Sequence, residues 1–236
     1  MTYVANPGGS APARCGLAYR GGRIVCRAFA LFMVVLAAGC SVTQPVRVLD
    51  AGEIRLAGSV GGPIVPSSVP TVVVPYGTVG GMFGVSRDVT VTGNLHVVLA
   101  GLKTFGVDGG AAVRLIPQEG FVPEVTGKGQ VLLMTSFAPN SFRVFPYCSI
   151  NGSYLLGESL TGYAGVESMF QFTGEDHFFI GPFAGVNIGL SRRVALQAET
   201  KWMAANINTR NGVFEGQSSF RGMGSAALFL GVTYVW

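Results

Sequence analysis

From Glu53 to Trp236, apolar residues alternate with small or polar ones in segments of roughly ten residues, each followed by turn-forming residues. Alternation with period two marks a β-strand with two unlike faces, because successive side chains leave opposite sides of the pleat. The clearest segment is Val194 to Trp202. Val194, Leu196, Ala198, Thr200 and Trp202 share one face, and Ala195, Gln197, Glu199 and Lys201 the other. The segment Gly222 to Trp236 repeats the pattern: Ala226, Leu228, Leu230, Val232, Tyr234 and Trp236 lie on one side, and Met223, Ser225, Ala227, Gly231 and Thr233 on the other. Phe229 falls among the small residues and breaks the rule. The same test predicts ten strands, at 53–61, 72–85, 89–101, 107–116, 124–136, 142–155, 160–172, 177–190, 193–206 and 220–236. Eight strands are the alternative, because Pro75 interrupts 72–85 and 107–116 is short, and proline is poorly tolerated inside a sheet.

The connections also alternate. Ser86-Arg87-Asp88, Gly157-Glu158-Ser159 and Ser191-Arg192-Arg193 read as tight turns, whereas Pro63 to Pro70 and Asn208 to Ser219 read as longer loops. Short periplasmic turns and longer external loops belong to transmembrane barrels. An even strand count returns the C-terminus to the side on which the first strand began. The predicted fold is all-β: a closed antiparallel up-and-down transmembrane β-barrel over residues 53–236.

Composition decides which face meets which solvent. The chain is 49% hydrophobic and only 12% charged, with a mean hydropathy of +0.46. A soluble, lipid-anchored barrel holding an apolar ligand, as lipocalins do, would show a polar exterior with about 25% charge. A helical membrane protein is excluded by length, since the one long apolar run, Ala28 to Gly39, is about twelve residues and a spanning helix needs roughly twenty. The 35 glycines suit the sharp curvature of a small barrel. Neither Gly77-Thr78-Val79-Gly80-Gly81 nor Gly181-Pro182-Phe183-Ala184-Gly185 is followed by a helical pattern, which argues against a phosphate loop.

The N-terminal region has the order of an export signal: Arg20, Arg23 and Arg27, then the apolar run, then Ala37-Ala38-Gly39 before Cys40. Leu36-Ala37-Ala38-Gly39-Cys40 resembles the bacterial lipobox, which implies acylation of Cys40, with palmitate among the attached chains, and removal of residues 1–39. By the same resemblance, Ser41 is compatible with sorting to the outer membrane, with the anchor in the periplasmic leaflet and residues 40–52 as a periplasmic linker. The sequence pI of about 9.0 then loses its meaning. Of the 16 basic residues, Arg14, Arg20, Arg23 and Arg27 precede Cys40, and the remainder match the 12 acidic ones in number. No basic patch for nucleic acid survives. Cys15 and Cys26 leave with the signal, so no disulfide framework or cysteine metal site is expected.

At the other end, Gly231-Val232-Thr233-Tyr234-Val235-Trp236 resembles the C-terminal assembly signal of bacterial outer-membrane barrels, with Gly231, Tyr234 and Trp236 as its marks. The resemblance implies the barrel-assembly machinery as a partner, alongside outer-membrane lipid; it leaves the oligomeric state open. Across 53–236 the pattern resembles the small porin-like families.

The period-two assignment puts Glu53, Arg55, Asn94, His96, Arg114, Lys128, Gln130, Arg143, Asn151, Glu167, Gln171, Gln197, Glu199 and Lys201 inside. Acids and bases are mixed, so the expected lumen is a charge-paired network of Glu53, Arg55, His96, Arg114, Lys128, Arg143, Glu167, Glu199 and Lys201, with a structural or narrow-pore role. An enzyme acting on lipid or peptide at the external rim is the alternative. Of the two histidines, His177 follows Glu175-Asp176 in an expected external loop, and His96 faces inward. Neither has the spacing of omptins or lipid A deacylases, and no nucleophile elbow is present. No catalytic residue, cofactor or metal site is assigned. Cys148 is expected to face lipid, and Trp202, Trp236, Tyr76, Tyr154 and Tyr234 to form interfacial girdles.

Overall fold

A computed structural model describes residues 45–65, 72–73, 76–97, 104–136, 142–172, 177–208 and 223–236. Every element among these is a strand: β1 (Ile54–Val65), β2 (Val72–Val73), β3 (Tyr76–Gly84), β4 (Val89–His96), β5 (Thr104–Ile116), β6 (Glu124–Ser136), β7 (Arg143–Leu155), β8 (Leu160–Gln171), β9 (His177–Gly189), β10 (Val194–Asn208) and β11 (Met223–Val235). Each of the long strands pairs antiparallel with its neighbours, and β11 pairs with β1 over Arg55↔Val235 to Pro63↔Ala227, closing the wall. The two residues of β2 pair only with Ile64 and Val65, so the barrel has ten strands. Closure matters because lipid cannot satisfy the unpaired N–H and C=O groups of a sheet edge.

The wall is apolar outside and polar inside. Leu56, Val79, Leu95, Val131, Ile150, Val166, Leu196 and Leu230 are all exposed, while Thr90, Thr126, Glu124, Gln197, Glu199 and Lys201 are buried. This inverts the arrangement of a water-soluble barrel and defines a transmembrane one. Apart from β4, with 8 residues, the barrel strands run from 9 residues in β3 to 15 in β10, which meets the roughly 9–11 that a tilted strand needs to cross a bilayer.

The predicted segment 72–85 is described as β2 and β3, which pair with β1 in one register, Val73 with Ile64 and Tyr76 with Gly61; Val74 and Pro75 lie outside the described residues. One strand departs from the sequence expectation: β1 runs past Pro63, expected in a loop, to Val65. Among the described residues, Pro63 pairs with Ala227 of β11.

One end of the barrel carries short turns. Val85, Leu156 and Leu190 each donate an N–H to the carbonyl of the first residue of the next strand, at 2.9, 2.8 and 2.9 Å. Both Pro45–Asp50 and Trp236 lie at this end, where the Trp236 N–H reaches the Ile54 carbonyl at 3.0 Å.

Candidate functional site: a filled lumen

Lumenal contact across this barrel depends on which side chains are small. On β9, inward-facing Gly181 and Gly185 flank inward-facing Phe183. A Cβ at Gly185 would stand 2.4 Å from the Tyr163 hydroxyl, and one at Gly181 would stand 3.1 Å from Glu167. The two glycines are windows through which β8 and β10 meet over β9.

Through the Gly181 window, Lys201 Nζ reaches Glu167 Oε2 at 2.6 Å, while its other carboxylate, Glu199 Oε1, lies 3.2 Å away on its own strand. The Tyr147 hydroxyl donates to the same Glu167 oxygen at 2.5 Å. Through the Gly185 window, the Tyr163 hydroxyl donates to Glu199 Oε2 at 2.8 Å and accepts from Gln197 Nε2 at 2.7 Å. The Lys201 ammonium also lies 5.6 Å from the ring centre of Phe183 and 5.5 Å from that of Phe229. Phe229, the exception to the alternation, is therefore an inward residue. It fits because Gly61 faces it across β1, where a Cβ would come within 2.4 Å of its ring.

A second group sits on β3 to β5. His96 Nε2 pairs with Asp108 Oδ2 at 2.8 Å, both side chains being 0% exposed. Asn94 Nδ2 donates to the other oxygen, Oδ1, at 2.7 Å, and Tyr76 Oη lies 3.0 Å from His96 Nδ1. A carboxylate only accepts, so Nε2 carries the proton and, in a neutral imidazole, Nδ1 accepts from tyrosine. Tyr76, expected in an interfacial girdle, is an inward residue instead, because β3 turns the face of Tyr76, Thr78 and Met82 to the lumen. Asp108 lies on the inward parity of β5, two residues from Gly110 and six from Arg114.

The third group closes the short-turn end. Arg47 Nη2 meets Glu124 Oε2 at 2.8 Å, and Arg114 Nε approaches the same oxygen at 3.2 Å. Arg47 Nη1 donates to Gln118 at 3.2 Å. Around this contact, residues 45–50 form a strap against the inner wall: Leu49 N donates to Thr90 Oγ1 at 2.8 Å, and Asn151 Nδ2 donates to the Val46 carbonyl at 3.1 Å. Val48 and Leu49 are buried. In sequence, residues 40–52 read as a linker; nothing in a six-residue stretch of mixed polarity announces that it packs inside a barrel.

The remaining predicted residues separate. Glu53 and Arg55 pair with each other at 2.6 Å. Lys128 is buried beside the others, whereas Arg143 is exposed at the start of β7, the end of that strand remote from Glu124. Cys148 is exposed on the outer face, 2.9 Å from Ser168 Oγ. Tyr154 and Tyr234 lie at the short-turn end, the first donating to the Gly120 carbonyl at 2.7 Å and the second accepting from Arg193 at 3.4 Å. Trp202 lies on the outward parity of β10, and Trp236 is largely exposed. Cys40, the signal, Glu175 and Asp176 lie outside the described residues, as does the side chain of His177. Among the described residues, no three His, Cys, Asp or Glu side chains converge as a metal site.

Sequence reasoning missed Tyr147, Tyr163, Asp108, Glu124 and Arg47. Inward parity with Lys128 and Gln130 marks Glu124, and the same test marks Asp108 and the two tyrosines; Arg47 precedes the first strand and has no such signal.

No protein-family model matches the chain, and no curated protein matches it. Its structure is similar to an outer membrane channel from Pseudomonas putida F1 (TM-score 0.48, 10% identity, covering 83% of this chain and 100% of that one). It is also similar to the translocator domain of the autotransporter NalP from Neisseria meningitidis (TM-score 0.43, 9% identity, 92% and 97% covered). A third similarity is to the attachment invasion locus protein Ail of Yersinia pestis (TM-score 0.28, 10% identity, 79% and 99% covered).

Proposed function

We propose that this chain is an integral outer-membrane barrel with a structural role, its lumen closed to ions and solutes by its own side chains. The observation that carries this reading is the layer formed by Lys201, Glu167 and Glu199 with Phe183, Phe229, Tyr147 and Tyr163. Side chains of that size fill the interior of a small barrel. An ion crossing the layer would have to part charges that are paired in a medium of low dielectric.

Outer-membrane placement is supported by the apolar exterior and by the closed antiparallel wall, the architecture by which β-strands span that membrane. The short-turn end, where the strap and Trp236 lie, is then periplasmic. Lipidation at Cys40 fits this orientation: it lies five positions before Pro45, and at up to ~3.5 Å per position that span suffices to reach from the mouth to the adjoining leaflet. The C-terminal strand, ending on Tyr234 and Trp236, would be the element offered to the assembly machinery. A rim enzyme built on His96 is disfavoured, because that imidazole is sealed within the wall.

The test is a planar-bilayer recording of the full chain, folded in detergent and checked by heat-dependent gel mobility. A silent bilayer is expected. Discrete conductance steps from the folded protein would overturn the closed-lumen reading.

A further inference from the structure

Between the strap and the mid-height layer, the lumen contains a cavity of about 370 Å3, within the roughly 300–1,000 Å3 of small-molecule sites. Strap residues 45–50 form one side and the lumenal faces of the strands the others. Four cationic side chains border it, Arg47, Arg55, Arg114 and Lys128, against the carboxylates of Asp50 and Glu53. Glu53 is engaged by Arg55, and the inward carboxylate of Glu124 serves both Arg47 and Arg114, the latter also lying 3.5 Å from Asp88 at the turn. Among the lining residues themselves the four cations outnumber the two carboxylates.

Two polar groups on this lining lack partners. Lys128 is only 5% exposed, yet its ammonium forms no ion pair among the described residues; it lies over the face of Tyr147, 5.7 Å from the ring centre, within electrostatic reach of Asp108, Glu167 and Glu199. The carboxylates that could neutralise it are occupied: Glu167 and Glu199 by Lys201, and Asp108 by His96 and Asn94. Thr92 Oγ1 is buried on the same lining with no hydrogen-bond partner among the described residues. The strand between these two residues, β5, presents only Gly110 and Ala112 at the intervening inward positions, so no large side chain separates the hydroxyl from the ammonium.

From this arrangement we propose that the cavity is a binding site for a small anion, a carboxylate or phosphate, held by the Lys128 ammonium and the Thr92 hydroxyl, with Arg47 and Arg114 closing the side toward the strap. A buried ammonium without a direct ion pair of its own is costly, and an orphaned hydroxyl adds to that cost; an anion satisfies both. The strap is one wall of the site. The site goes beyond the closed-lumen reading and does not depend on it, since an anion can bind in a barrel whether or not the barrel conducts.

The test is calorimetric titration of the detergent-folded full chain with inorganic phosphate and with succinate at constant ionic strength, sodium chloride serving as the reference anion. Saturable one-to-one binding of phosphate or succinate is expected. Lys128→Met should weaken it by about tenfold or more, the amount one charge-assisted hydrogen bond contributes. Arg193→Gln, at the exposed turn, should leave it unchanged. Thr92→Val, expected to weaken binding by a smaller factor, supplies the comparison if Lys128→Met does not fold. No saturable binding of either anion, meaning a cavity that holds water only, would overturn the proposal; so would equal binding by wild type and both cavity variants.

Discussion

Lys201 is buried between two carboxylates, and its removal leaves them facing each other without the cation that pairs with both. Breaking a buried ion pair from one side costs about 3–5 kcal/mol, whereas replacing all its members by neutral groups of similar shape is often close to neutral. Lys201→Met is therefore expected to lower the unfolding free energy by that amount in a detergent or vesicle denaturation experiment. The triple variant Lys201→Met, Glu167→Gln, Glu199→Gln should recover most of the loss. If the single and triple variants are equally destabilised, packing of the lysine stem rather than its charge carries the layer. Phe229 works at the same scale: its ring is accommodated because Gly61 has no side chain, so a large residue at position 61 is excluded by a neighbour distant in sequence.

Among the elements, the strap and β9 shape the lumen in different ways. The strap has few apolar contacts, chiefly Val48 and Leu49, and is fastened by Arg47 to Glu124 and by Leu49 to Thr90. Short segments held by a few polar contacts open at far lower cost than the barrel that surrounds them. Arg47→Ala is expected to raise amide hydrogen exchange in residues 45–50 while leaving exchange in β5 to β10 at its original rate. Uniform acceleration across the strands would instead make the strap a contributor to global stability. Strand β9 contributes by absence: Gly181 and Gly185 let Glu167 and Tyr163 reach β10.

For the molecule as a whole, the apolar exterior sets the solvent in which the fold is stable. Val166 is exposed on β8 with Glu167 beside it pointing inward, so neighbouring positions sample lipid and lumen. An arginine on the lipid face near the bilayer midplane costs about 2–4 kcal/mol. Val166→Arg is expected to destabilise the barrel by that amount in a bilayer, and by much less in detergent micelles, where the charge can reach water. An equal loss in both media would mean that position 166 packs against protein rather than lipid.

The ten-strand count, the inward identity of most polar residues and the antiparallel order were legible in the chain, because the pleat imposes period two locally and turn residues mark where each strand stops. Inward placement of Glu199 and Lys201 follows from their own strand alone. Their partners do not. Glu167 and Tyr163 reach β10 only because strand register sets two β9 glycines between them, and register is a property of strand pairs, not of segments. The same holds for Phe229 over Gly61 and for Tyr76 against His96. Arg47 and the strap were illegible for a further reason: a segment outside any regular element has no periodicity, and its place inside the lumen is decided by the cavity that the closed barrel creates.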